Sequence, residues 1–196
     1  MVKQEKTMAA VLKVLVEMGD DPYDKISMSS DPRTLSKDSF ATKYGVSGES
    51  LRCMISGTSL TSFVAVAPFS RPPKILVALS HLLPRCANAS DMASLGYRNS
   101  DIEDIRNSVL LCKGFGQAFD HKYISFVPSD NPFSDNKYKL HIWSGHIKTE
   151  PIYQGASQTI GDFEGAPLIL RVGTEMHNPF KRALSYQAFC AWKSWG

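Results

Sequence analysis

The stretch Leu35-Ser36-Lys37-Asp38-Ser39-Phe40-Ala41-Thr42-Lys43-Tyr44-Gly45-Val46-Ser47-Gly48-Glu49-Ser50-Leu51-Arg52-Cys53-Met54 constrains the fold most. Its small and apolar residues recur at the spacing of two short helices joined by a tight turn. Ala41 suits the point where crossing helices need a small side chain, and Gly45 takes a left-handed turn at little steric cost. Val46, Leu51 and Met54 then plug the angle between the two helices.

Two readings of this segment stay open. A helix-turn-helix regulator using residues 35–57 would present Lys37, Lys43 and Arg52 to DNA. Its second helix, between Gly48 and Gly57, carries one basic residue, Arg52, against Glu49, which is poor equipment for phosphates or base edges. A core-forming helical hairpin asks less of these residues and is the preferred reading.

Length allows one domain, and 43% apolar residues supply an ordinary core. The formal charge of +3, from 22 basic and 19 acidic residues, is too small to make the whole molecule a polyelectrolyte partner. An anionic partner must therefore meet a local patch. The run at 8–18 is interrupted by Lys13 and Glu17 and has no small-residue cleavage site after it, so it reads as an amphipathic helix and not a leader. No stretch of about 18 apolar residues occurs, so no transmembrane segment is expected. Cys53, Cys86, Cys112 and Cys190 form no Cys-x-x-Cys pair, which fits reduced thiols in an intracellular or virion interior.

Along the chain the expectation is α+β: a helical N-terminal half, a mainly antiparallel strand-rich half, and a C-terminal helix. Residues 1–34, a helix followed by a Ser/Asp/Pro loop, stand apart from one domain at 35–196. Residues 62–67 read as a strand. Pro72-Pro73 opens an apolar run to Leu83 that reads as a core helix. Ser100 and Glu103 form a capping-box start for a helix closed by Gly114. Residues 122–127, 137–143, 146–153 and 167–172 read as strands, with Ser144-Gly145 turning a hairpin. Asn178 and Pro179 start a last helix whose Phe180, Leu184, Ala188 and Ala191 share a face.

Catalytic motifs are absent from the sequence. There is no Gly-x-Ser-x-Gly, no P-loop, and Gly114-Phe115-Gly116 lacks the third glycine of a dinucleotide loop. The closest cysteine and histidine, His81 and Cys86, flank Pro84, and His141 and His146 could meet across a hairpin, but neither pair has the spacing of a zinc site. Asp101, Glu103 and Asp104 are explained by the preference of acids for a helix start. No enzyme activity, metal or cofactor is expected on these grounds.

Charge placement in the second half points instead to an anionic partner, RNA or lipid. Lys137, Lys139 and Lys148 sit near Tyr138, His141, Trp143 and His146, while Lys181, Arg182 and Lys193 share the last helix with Trp192 and Trp195. Trp143, Trp192 and Trp195 are the expected aromatic contacts; the alternative is a solvated face over core tryptophans.

The order of elements resembles the compact matrix proteins of rhabdovirus-like negative-strand RNA viruses. It is carried by Arg71-Pro72-Pro73-Lys74-Ile75-Leu76, the strand-rich middle from Tyr138, and Phe180-Lys181-Arg182-Ala183-Leu184. That resemblance implies a non-enzymatic structural protein that self-associates into homo-oligomers, binds nucleocapsid or RNA, and contacts an anionic membrane surface. Its late-budding motif is missing, with only Asp21-Pro22-Tyr23 in its place.

Overall fold

The computed structural model describes residues 51–59, 61–62, 74–75, 77–83, 93, 96–98, 101, 104–129, 138–170 and 179–196. The expected N-terminal helix, the Ser/Asp/Pro loop and the first helix of the proposed hairpin lie outside these residues.

The fold is α+β, built, among the described residues, from antiparallel strand pairs and two α-helices. Strand β1 (Thr61–Ser62) pairs with β2 (Lys74–Ile75), β3 (Val77–His81) with β4 (Ser108–Cys112), and β5 (Ile124–Pro128) with β6 (Tyr138–Ile142). Helix α1 (Lys113–Asp120) follows β4 without a loop, and α2 (Lys181–Trp195) ends the chain across β5.

Lys74–Ile75 and Val77–His81 therefore form strands where the sequence reads as a helix. The run is apolar on almost every face, and such a run fits a doubly buried strand as well as a buried helix. The helix expected from Ser100 to Gly114 is corrected in the same way: a 3-10 turn at Ile105–Asn107 leads into β4, every residue of which is buried. Asp104 starts that 3-10 turn and not an α-helix, its Oδ1 accepting from Arg106 N–H at 2.8 Å. It is buried against Arg106, whose Nε and Nη2 donate to its two carboxylate oxygens at 3.1 and 3.2 Å. The Arg106 guanidinium also lies 4.3 Å over the Phe180 ring, which anchors the start of α2.

The segment at 51–57 is not a recognition helix either. Met54 N–H donates to the Leu110 carbonyl at 2.8 Å, and Arg52 bridges Ser59, so this segment covers the free edge of β4. Leu51, Cys53 and Ile55 are accordingly buried. An edge strand left open would carry unpaired backbone groups, and this cover satisfies part of them.

The strand readings at 122–127 and 137–143 correspond to β5 and β6. Residues 146–153 do not form a strand: Gly145–Thr149 is a 3-10 turn, and β6 takes β5 as its hairpin partner. Helix α2 begins at Lys181, and Phe180, Ala183, Leu184, Ala188 and Ala191 are all buried along it. Its period-3.6 stripe packs on the β5 side of the molecule.

Helix α1 buries Phe115 and Phe119, four apart, against the β3–β4 pair. Each buried ring contributes on the order of 2 kcal/mol of hydrophobic stabilisation. The opposite side of its first turn is fixed by contact: Gly114 N–H donates to Ile152 O at 2.8 Å, and a Cβ on Gly114 would stand 2.5 Å from Pro151 O. Only glycine permits that approach without moving the 151–152 backbone.

Candidate functional site

β3, β4 and α1 make one strand-strand-helix unit, and its geometry converges on the end of β3. His81 closes that strand opposite Ser108. The chain immediately after it is clamped by Asn107, which is completely buried. Asn107 Oδ1 accepts from Leu83 N–H at 2.8 Å, Asn107 Nδ2 donates to Leu83 O at 3.1 Å, and Leu82 N–H donates to Asn107 O at 2.9 Å. Three hydrogen bonds to one residue hold the His81 turn in place.

Across from it runs the C-terminal end of α1. A cleft of about 330 Å³ is lined by Ser80, His81, Phe119, Asp120, Lys122 and Gln187. Partial burial raises the Asp120 carboxyl above its ordinary value of 3.8, while the charges of His121 and then His81 pull the other way. Asp120 and His81 thus feel each other's charge. Gln187 Nε2 donates to Phe119 O at 3.2 Å, and its buried Oε1 has no hydrogen-bond partner among the described residues.

Lys122 stands at the rim with φ of 63°, the one non-glycine residue with positive φ among the described residues. It terminates α1: Lys122 N–H donates to Phe119 O, and Tyr123 N–H to Ala118 O, both at 2.9 Å. Glycine is usual at such a position, and a lysine there costs about 1 kcal/mol in backbone strain.

Residues 53–127, which contain this whole unit, match the family model described as HNH endonuclease. No curated protein and no solved structure matches the chain. The family match overturns the matrix-protein resemblance. With it go the virion and self-assembly assignments, the nucleocapsid and membrane partners, and the expectation of a non-enzymatic protein. The helix at 71–76 that carried much of that resemblance is in any case strand at Lys74–Ile75.

His81, Asn107 and Asp120 all fall inside the matched stretch. On the helix, positions 116 and 120 are four apart and face β3, and they are Gly116 and Asp120. A Cβ at Gly116 would lie 3.2 Å from Ser80 Oγ, so this position is packed tightly against β3. His121 lines a different cleft.

Phosphodiester hydrolysis is commonly assisted by a divalent cation, which would need several converging His, Cys, Asp or Glu donors. The residues here do not fit one: the cleft offers one imidazole and one carboxyl, and no group of three such donors converges among the described residues.

The site residues expected from sequence are scattered. Lys148 Nζ lies 3.7 Å from Glu164 Oε2, and Lys193 is exposed on α2. Lys139, Lys181 and Arg182 are half-buried. Trp143 is buried, donating from Nε1 to Ser125 Oγ at 2.7 Å, and Trp192 packs on Phe189. Trp195 is 44% exposed and meets Tyr123 and His146. Arg52 is exposed, its Nη1 donating to Gly57 O at 3.1 Å. Lys37, Lys43 and Lys137 lie outside the described residues. His141 and His146, weighed as a metal pair, are held by Glu164 and Ser144. In the sequence, His81 is paired only with Cys86. A strand at Val77–His81, with the histidine at its end, is the signal that leads to it.

No helix among the described residues is long and apolar enough to cross a membrane.

Proposed function

We propose that this chain hydrolyses phosphodiester bonds of nucleic acid, with His81 as general base. The observation that carries the reading is the position of His81 at the end of β3, facing Asp120 of α1 across a cleft, inside the stretch that matches a nuclease family. Nucleic acid as partner also agrees with the regulator reading of residues 35–57, although the 51–57 backbone does not supply a recognition helix.

In this reading the imidazole of His81 removes a proton from water as the water oxygen forms a bond to phosphorus. The bond from phosphorus to one sugar oxygen breaks, and that oxygen takes a proton from solvent. Asp120 attracts the imidazolium that forms. Lys122 places its ammonium at the cleft rim, where the phosphate carries its charge. No step is assigned to a cation, because the donors among the described residues do not form a set for one.

Incubation with plasmid, single-stranded DNA and RNA, with and without added magnesium or manganese, tests the proposal. Cleavage of at least one substrate, leaving a phosphate end and a hydroxyl end, supports it. Intact substrates under every condition refute it.

A further inference from the structure

A second cleft, on the other side of α1, carries chemistry that hydrolysis at His81 does not use. It encloses about 640 Å³ and is lined by Lys113, His121, Tyr123, His146 and Glu150, among others. That volume accommodates a nucleobase with its sugar. Tyr123 is the centre of an aromatic group: His121 stacks on it at 5.5 Å and 27°, His146 meets it edge-on at 4.6 Å, and Trp195 at 5.1 Å. His121, His146 and Trp195 are exposed, so ring surface faces solvent beside the opening.

We propose that this cleft holds an unstacked nucleobase, and that the substrate is therefore single-stranded nucleic acid. The inference rests on the nucleic-acid reading above and adds its substrate class. Every base has a flat π face, and exposed rings around a cavity bind such faces with little regard for sequence. Glu150 can accept from an exocyclic amine at a base edge, and Lys113 can meet a phosphate.

The chain order of four residues joins the two clefts. Asp120 and Lys122 line the His81 cleft, whereas His121 and Tyr123 line the aromatic one. A base seated among the rings leaves its own backbone at Lys122, on the path to His81. Bases within a duplex are stacked and paired, so a duplex enters this cleft only against the cost of freeing one.

The test is fluorescence anisotropy with the full chain and labelled twelve-nucleotide strands, read before cleavage accumulates. The probes are single-stranded DNA, single-stranded RNA, an abasic backbone of equal length, and the DNA duplex. At least one base-bearing single strand should bind roughly fivefold or more tightly than the abasic strand and the duplex, and His146→Ala or Trp195→Ala should remove most of that margin. The DNA and RNA arms identify the sugar. Equal binding of base-bearing and abasic strands, or no effect of either substitution, overturns the subsite while leaving hydrolysis at His81 standing. Failure to bind any of the four probes overturns the nucleic-acid reading itself. Both substituted residues are exposed, and an unchanged circular dichroism spectrum certifies the fold.

Discussion

Asn107 brackets Leu83, accepting from its N–H at 2.8 Å and donating to its carbonyl at 3.1 Å, two residues beyond His81. The pair connects the turn before β4 to the turn after β3 and so fixes where the histidine stands. Asn107→Ala leaves both backbone groups of Leu83 without this partner in a buried setting, a loss on the order of 3 kcal/mol. Urea unfolding should show it as a lower midpoint, and hydrolysis should weaken as well, since His81 loses its support. A change below about 1 kcal/mol would contradict the clamp.

Lys122 trades stability for position. Lys122→Gly relieves the left-handed backbone and should raise stability by about 1 kcal/mol in the same unfolding assay. It also removes the cation at the rim of the His81 cleft, so nucleic-acid binding and cleavage should fall while stability rises. Falling stability would refute the strain, and unchanged cleavage would refute the phosphate contact.

Which parts of this fold were legible depended on whether burial was one-sided. β6 alternates buried and half-buried residues, and α2 keeps its apolar stripe on one face after Pro179, so pattern and structure agree there. β4 is buried on both faces, and β3 shows no period-2 alternation, its buried Val77 and Ser80 standing three apart, which lets a helix reading stand. The site was harder still. His81, Asn107, Asp120, Lys122 and Gln187 come from β3, the turn before β4, the end of α1 and α2, and only packing assembles them. The basic residues expected to mark the site were chosen from their nearness in sequence; of these, Lys148 lies 3.7 Å from Glu164 Oε2.

Glu164 makes stability depend on acid. Burial opposes its ionisation, but the hydrogen bond to His141 Nδ1 at 3.1 Å, the Ile142 N–H, and the charges of His141 and Lys148 together hold its pKa below the ordinary 4.5. The folded carboxyl therefore binds its proton less tightly than the unfolded one. Its contribution is present in full above about pH 4.5 and disappears as pH falls through the lower folded value. Thermal midpoints from about pH 6 down to about pH 3 should fall less steeply for Glu164→Gln than for the wild-type chain. Parallel curves would show that Glu164 is not the group involved.

The rate of oligonucleotide cleavage by the wild-type chain and by His81→Ala, prepared side by side and shown to share one circular dichroism spectrum, decides whether a general base works at the end of β3. Removal of such a base should slow cleavage by about 100-fold or more. Equal rates for the two proteins would contradict a nuclease centred on His81.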